Sequence, residues 1–192
     1  MINIAIGSHR RFERCEPVIT HSIKKHTSQP VNIGTLRPDC FGMPDTGCTG
    51  FTNMRWLLPS IMEFTGFVIY LDVDMLVVYD IAELWDYREA GKFVCLRDGA
   101  TEVMIMDCSA LQIRPEVVRT ASKTMLDAIA GSVKSKRIPH EWNYEDKYSP
   151  NAKLIHFTDL KRQPWFYDGH PDKTACQLWF EYEREAQTKG HQ

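Results

Sequence analysis

The stretch FVIYLDVDMLVV, residues 67 to 78, constrains this 192-residue chain more than any other. Phe67 to Leu71 are apolar without alternation, as a strand must be when both its faces are covered in a largely parallel sheet. Into the same run the chain sets Asp72 and Asp74. An ionised carboxylate buried without a partner is very costly, so two of them demand hydrogen-bond donors, a cation, or both. With a strand ending near Leu71, the i, i+2 spacing aims both carboxylates to one side of its carboxyl end, where open α/β sheets bind ligands. Such a pair of hard oxygen ligands suits Mg²⁺ or Mn²⁺, and those ions hold phosphate oxygens in turn. A structural alternative fits the spacing equally well: one aspartate caps the following turn and the other pairs with Lys or Arg.

The surrounding pattern is that of an α/β chain. INIAIG is a short strand ending at Gly7, Val18, Ile19, Ser22 and Ile23 allow an amphipathic helix, and PVNIGTL is a second strand. Together they predict a β-α-β unit with parallel pairing. Phe51, Met54, Leu57, Leu58 and Ile61 keep helical spacing despite Pro59. DIAELWD predicts a short helix, KFVCL and EVMIMD two strands, and Pro115 to Ile129 a helix with Val118, Ala121, Met125, Leu126 and Ile129 on its inner stripe. AKLIHF is a late strand, and DKTACQLWFEYEREAQ a closing amphipathic helix whose Trp179 and Tyr182 pack onto the sheet. No repeat or linker divides the chain.

Composition narrows the partners. A net charge of −2 gives no footprint for nucleic acid, and no segment approaches the length of a membrane span, so small molecules are the expected partners. MINIAIG enters a strand-like run at once, without the features of a secretory signal, and reads as cytoplasmic. Cys15, Cys40, Cys48, Cys95, Cys108 and Cys176 lie singly, with no C-x-x-C, which fits reduced thiols better than a disulfide framework or a zinc site.

Five segments in order resemble glycosyltransferase family 8, a family of GT-A fold enzymes that use nucleotide-sugar donors. VIYLDVDMLVVYDIAELW is similar to its D-x-D segment, and FTNMRWLLPSIM to the helix with a sugar-contacting arginine, here Arg55. KFVCLRDGATEVMIMD resembles its strand, donor-sugar aspartate and following strand, with Asp98 as that aspartate. IPHEWNY is similar to its late tryptophan-asparagine segment and LIHFTDLKRQPW to its closing motif. The resemblance implies an α/β fold: a single GT-A (Rossmann-like) domain, mostly parallel central sheet flanked by helices, spanning residues 1–192 or forming one catalytic domain of a longer protein.

It further implies a UDP-sugar donor, a carbohydrate or other hydroxyl acceptor, and a divalent ion held by Asp72, Asp74 and His156. Two carboxylates with an imidazole favour Mn²⁺ over Mg²⁺. Asp72 would also meet the ribose, and Gly7, Ser8, His9 and Phe12 the uridine. The family's diphosphate-binding lysine stands directly before the proline, a place taken here by Gln163, which leaves Lys161 or Arg162 as the cation. Arg55 and Asp98 would hold the donor sugar.

Two departures stand out. Family members usually show asparagine, a small residue and glycine where this chain has Ala100, Thr101 and Glu102, and an aspartate-glutamine-aspartate segment is missing between Asp107 and Ile138. Glu141, with His140 beside it, is the candidate replacement near the sugar. Retention of configuration is the leaning; an inverting reaction would need Glu141 or Asp107 as general base. Trp165, Phe166 and Tyr167 could form an acceptor platform. The competing readings are a nucleotide-sugar-binding module without catalysis and a nucleotidyltransferase, the latter disfavoured because GSHRRF has no phosphate-cradling glycine pattern.

Overall fold

The computed structural model describes residues 1–47, 49–95, 100–166 and 169–189. The chain opens with β1 (Ile2–Gly7), α1 (Glu16–Lys25), β2 (Val31–Leu36), α2 (Leu58–Ile61), β3 (Phe67–Asp72), β4 (Met75–Val77) and α3 (Ile81–Trp85). Next come β5 (Lys92–Cys95), β6 (Val103–Asp107), α4 (Pro115–Thr120), α5 (Lys123–Ala130) and β7 (Lys134–Arg137). The last elements are β8 (Tyr144–Glu145), β9 (Leu154–His156) and α6 (Lys173–Lys189).

Six strands form one sheet in the order β2-β1-β3-β6-β5-β7. β1 pairs in parallel with β2 and β3, and β5 with β7, whereas β6 is antiparallel to both its neighbours. The sheet is therefore mostly parallel, with β6 alone reversed. Ile69, Tyr70 and Leu71 are wholly buried, so both faces of β3 are covered, which is what the unalternating apolar run requires. A smaller ribbon, β4-β9-β8, continues from the carboxyl end of β3, with Met75 opposite His156 across the antiparallel β4–β9 pair. Only Val73 and Asp74 separate β3 from β4, so the second aspartate sits at the junction of the two sheets.

Two helices differ from expectation. Between Pro115 and Ile129 the helix breaks, because Ala121 is extended (φ −77°, ψ 143°) and the Ser122 hydroxyl accepts the Met125 N–H at 3.2 Å to start a new one. A serine able to cap competes with helix continuation. The break turns Met125 out of the expected stripe, leaving it 54% exposed while Val118 and Leu126 stay buried. The segment after Phe51 forms a 3-10 turn over Met54–Leu57 before the short α2, and Ile61 faces solvent.

α6 lies along α1. Arg14 forks onto Glu183 at 2.5 and 3.0 Å and donates to the Trp165 carbonyl at 3.0 Å, while His21 and Lys25 both reach Glu185. Trp179 and Tyr182 are buried as expected, but Tyr182 meets His21 and His26 and Trp179 the Trp165 ring, so the helix packs on α1 and not directly on the sheet. No helix among the described residues is long and apolar enough to cross a membrane.

Candidate active site

Asp72 closes β3 opposite Gly7, the last residue of β1. The Gly7 carbonyl accepts the Val73 N–H at 3.0 Å, which steers the chain out of the strand towards Asp74. A Cβ on Gly7 would lie 1.9 Å from the Tyr70 hydroxyl, so the bare glycine makes room for that ring. Arg55 lies over the same ring at 4.7 Å and spends every guanidinium nitrogen locally. Its Nη2 donates to Asp72 at 3.1 and 3.4 Å, Nη1 to the Thr101 hydroxyl at 2.7 Å and Nε to the Thr52 carbonyl at 3.0 Å.

Asp74 Oδ2 accepts from Gln163 Nε2 at 3.1 Å, and the same amide nitrogen donates to the Phe157 carbonyl at 2.8 Å. The β4–β9 register brings the His156 ring beside Asp74, with Nε2 3.3 Å from Oδ1. On its other side His156 Nδ1 lies 2.9 Å from the Asn143 side-chain oxygen, and the Asn143 amide nitrogen lies 3.3 Å from Glu102.

Burial pushes the Asp72 carboxyl up to about 6 against the pull of Arg55, and Asp74 adds to the rise. Burial alone would lower His156, but the neighbouring Asp74 outweighs it and raises the imidazole to about 8. Asp72, Asp74 and His156 are all buried, and each offers a ligand atom within 4.8 Å of the others. Asp74 Oδ1 is buried and accepts no hydrogen bond. An orphaned carboxylate oxygen beside an imidazole nitrogen and a second carboxylate is chemically suited to a divalent cation, so the residues present fit a metal ion.

Other sequence candidates fall elsewhere. Asp107 pairs with Phe67 at the amino end of β3, roughly 15 Å along the strand from Asp72. Its carboxylate is filled by the Gly91 N–H and by the Ser109 N–H and hydroxyl, so it is not brought to this site as a base. Glu141 lies beside Lys153, at the end of β9 away from His156, with its carbonyl accepting the Lys153 N–H at 2.8 Å. Phe12 is a core ring packed on Phe51 and Trp165 instead of an open nucleotide platform, and Ser8 is buried with its hydroxyl donated to Glu16. His9 keeps partial exposure and meets Asp45 at 3.1 Å. Lys161 and Arg162 are exposed in the loop after β9, Arg162 lying 3.7 Å from Asp159. Trp165 is buried and Phe166 is 42% exposed. Asp98 and Tyr167 lie outside the described residues.

Sequence reading missed Gln163, Asn143, Glu102 and Thr101 as partners of the cluster. Three of them were visible only as anomalies: Gln163 in the place of a lysine, and Thr101 and Glu102 where the similar family shows other residues.

The fold is that of the GT-A glycosyltransferases. An active-site mutant of LgtC superposes with a TM-score of 0.69 at 12% identity, over 96% of each chain. The galactosyltransferase LgtC in complex with donor and acceptor sugar analogues gives 0.65, with the same identity and coverage. The glycosyltransferase GlyE of Streptococcus pneumoniae TIGR4 gives 0.67 at 15% identity over 95% of this chain, which spans 61% of the GlyE chain. In sequence, Protein CDI of Arabidopsis thaliana is 26% identical over 234 residues, covering 95% of this chain and 87% of that protein. No protein-family model matches the chain.

Proposed function

We propose that this chain transfers a sugar from a UDP-sugar to a hydroxyl acceptor on a glycan or glycoconjugate. The observation that carries the reading is the buried cluster of Asp72, Asp74 and His156 at the carboxyl end of β3 in a GT-A fold. These three residues would hold a divalent ion, Mn²⁺ before Mg²⁺, which would supply Lewis-acid stabilisation of the charge on a departing diphosphate.

The chain's own residues supply the rest. Gly7 stands beside Asp72 across the β1–β3 pair, so the turn after β1 is placed to meet a nucleoside bound at the strand ends. His9, partly exposed in that turn, is its polar side chain. Lys161 or Arg162, exposed in the loop after β9, neutralises the diphosphate. Arg55 orients the donor sugar from its position on Asp72, which makes sugar binding and the Asp72 contact compete for one guanidinium. With Asp107 at the opposite end of β3 and its carboxylate filled, it does not stand as a general base, which supports a retaining course in which the acceptor proton passes to the leaving phosphate. The same observation favours, as a second reading, a module that binds nucleotide-sugars without turning them over.

Calorimetric titration of UDP in the presence of Mn²⁺, repeated with excess chelator and with Asp74→Ala, tests the donor site. Binding that needs both metal and Asp74 is expected; metal-independent binding, or none, would overturn the reading. A screen of UDP-sugars for release of UDP then separates an enzyme from a binding module.

A further inference from the structure

We propose that Glu102 and Asn143 form a relay that holds the His156 ring in the one tautomer able to offer Nε2 to a divalent ion, which makes both of them positioning residues. The inference rests on the metal reading of the cluster. Its logic is that of donors and acceptors. An ionised carboxylate only accepts, so Asn143 turns its amide N–H towards Glu102 at 3.3 Å and its carbonyl towards His156. A carbonyl oxygen also only accepts, so at 2.9 Å the proton of the ring is on His156 Nδ1. A divalent ion displaces the second ring proton, so the lone pair it meets is on Nε2, the nitrogen that faces Asp74 at 3.3 Å.

Asn143 alone could not enforce this. An amide turned end for end has nearly the same shape, and it would present N–H to Nδ1, drive the ring proton to Nε2 and block coordination there. Glu102 removes that freedom. It is itself anchored, since its carbonyl accepts the Asp72 N–H at 3.2 Å, so the relay starts at the strand end that carries the first aspartate and ends on the histidine. Asn143 is 2% exposed, which keeps water from substituting for either partner. Glu102 stands where the family that the sequence resembles shows glycine, so the relay belongs to this chain's own departures.

The test is calorimetric titration of Mn²⁺ alone into the metal-stripped protein. Glu102→Ala is expected to weaken binding about 10- to 100-fold, the usual cost of losing an outer partner of a metal-ligating histidine. Glu102→Gln, which keeps the shape and can still accept, is expected to lose less. In the double variant Glu102→Ala/Asn143→Asp the new carboxylate can only accept from Nδ1–H, and affinity is expected to return to within about threefold of wild type. A packing role predicts instead that the double variant binds no better than Glu102→Ala; that result, or unchanged binding by Glu102→Ala, overturns the relay alone. Failure of the wild type to bind Mn²⁺ overturns the metal reading and the relay together. Thermal melting of each variant shows that the protein titrated is folded.

Discussion

β3 and β6 end alike and behave oppositely. FVIYLD and VMIMD are apolar up to a final buried aspartate, and the two strands lie antiparallel side by side, so Asp72 and Asp107 mark opposite ends of the pair. Asp107 takes three short hydrogen bonds, from the Gly91 N–H at 2.7 Å and from Ser109 N–H and hydroxyl at 2.9 and 2.7 Å. Burial by itself would raise its pKa, but these donors together prevail and hold it below the usual carboxylate value. Asp72 has the Arg55 guanidinium, and burial lifts it to about 6. What separates a structural carboxylate from a candidate ligand is the supply of donors around it, which the strand sequence does not contain.

Arg55 offers the hardest test of this contrast. Arg55→Leu leaves Asp72 buried without its cation and is expected to lower stability by about 3 kcal/mol, read from the urea midpoint; a variant as stable as the wild type would mean that Asp72 is satisfied by other means. Asp74→Asn comes next: Mn²⁺-dependent UDP binding is expected to weaken at least about a hundredfold with the fold intact by circular dichroism. At the other end, Asp107→Asn should cost about 2 kcal/mol of stability and leave UDP binding unchanged, and a matching loss of binding would return Asp107 to the active site.

The sign of the pH dependence sharpens the same point. Because the folded-state pKa of Asp107 is depressed, its contribution is complete above the unfolded carboxylate value of about 3.9 and is lost as pH falls through the lower folded value. Urea stabilities of wild type and Asp107→Asn should therefore differ at neutral pH and converge on acidification. The smallest effect belongs to Ser109→Ala, which removes one hydroxyl donor from Asp107 and is expected to cost about 1 kcal/mol in the same urea assay.

Much of the sheet was legible because its central strands β1, β3 and β6 are apolar runs buried almost throughout. β4 and β8 were not, being three and two residues long and too short to show a period. β7, KSKR, is polar throughout and pairs only at the edge of the sheet beside β5, where water tolerates such a strand. In the site, the two aspartates announced themselves through the cost of burying them, whereas His156 stood out only through the resemblance. The partners that tune them come from far along the chain: 41 residues separate Asn143 from Glu102, and 89 separate Gln163 from Asp74. No local window of sequence contains such pairs, and Ser122 shows the reverse failure, a local cap overriding a periodic pattern that looked continuous.

The Gln163 bond to Asp74 also sets a clock. At ribosomal rates of about 5 to 20 residues per second, the 89 residues between them take roughly 4 to 18 s to appear. For that interval a growing chain carries an apolar strand bearing two acidic groups before the amide that will hold one of them exists. Asp72 already has Arg55 behind it in the chain, so any ion or chaperone that shelters Asp74 during those seconds acts on it before its own amide partner can.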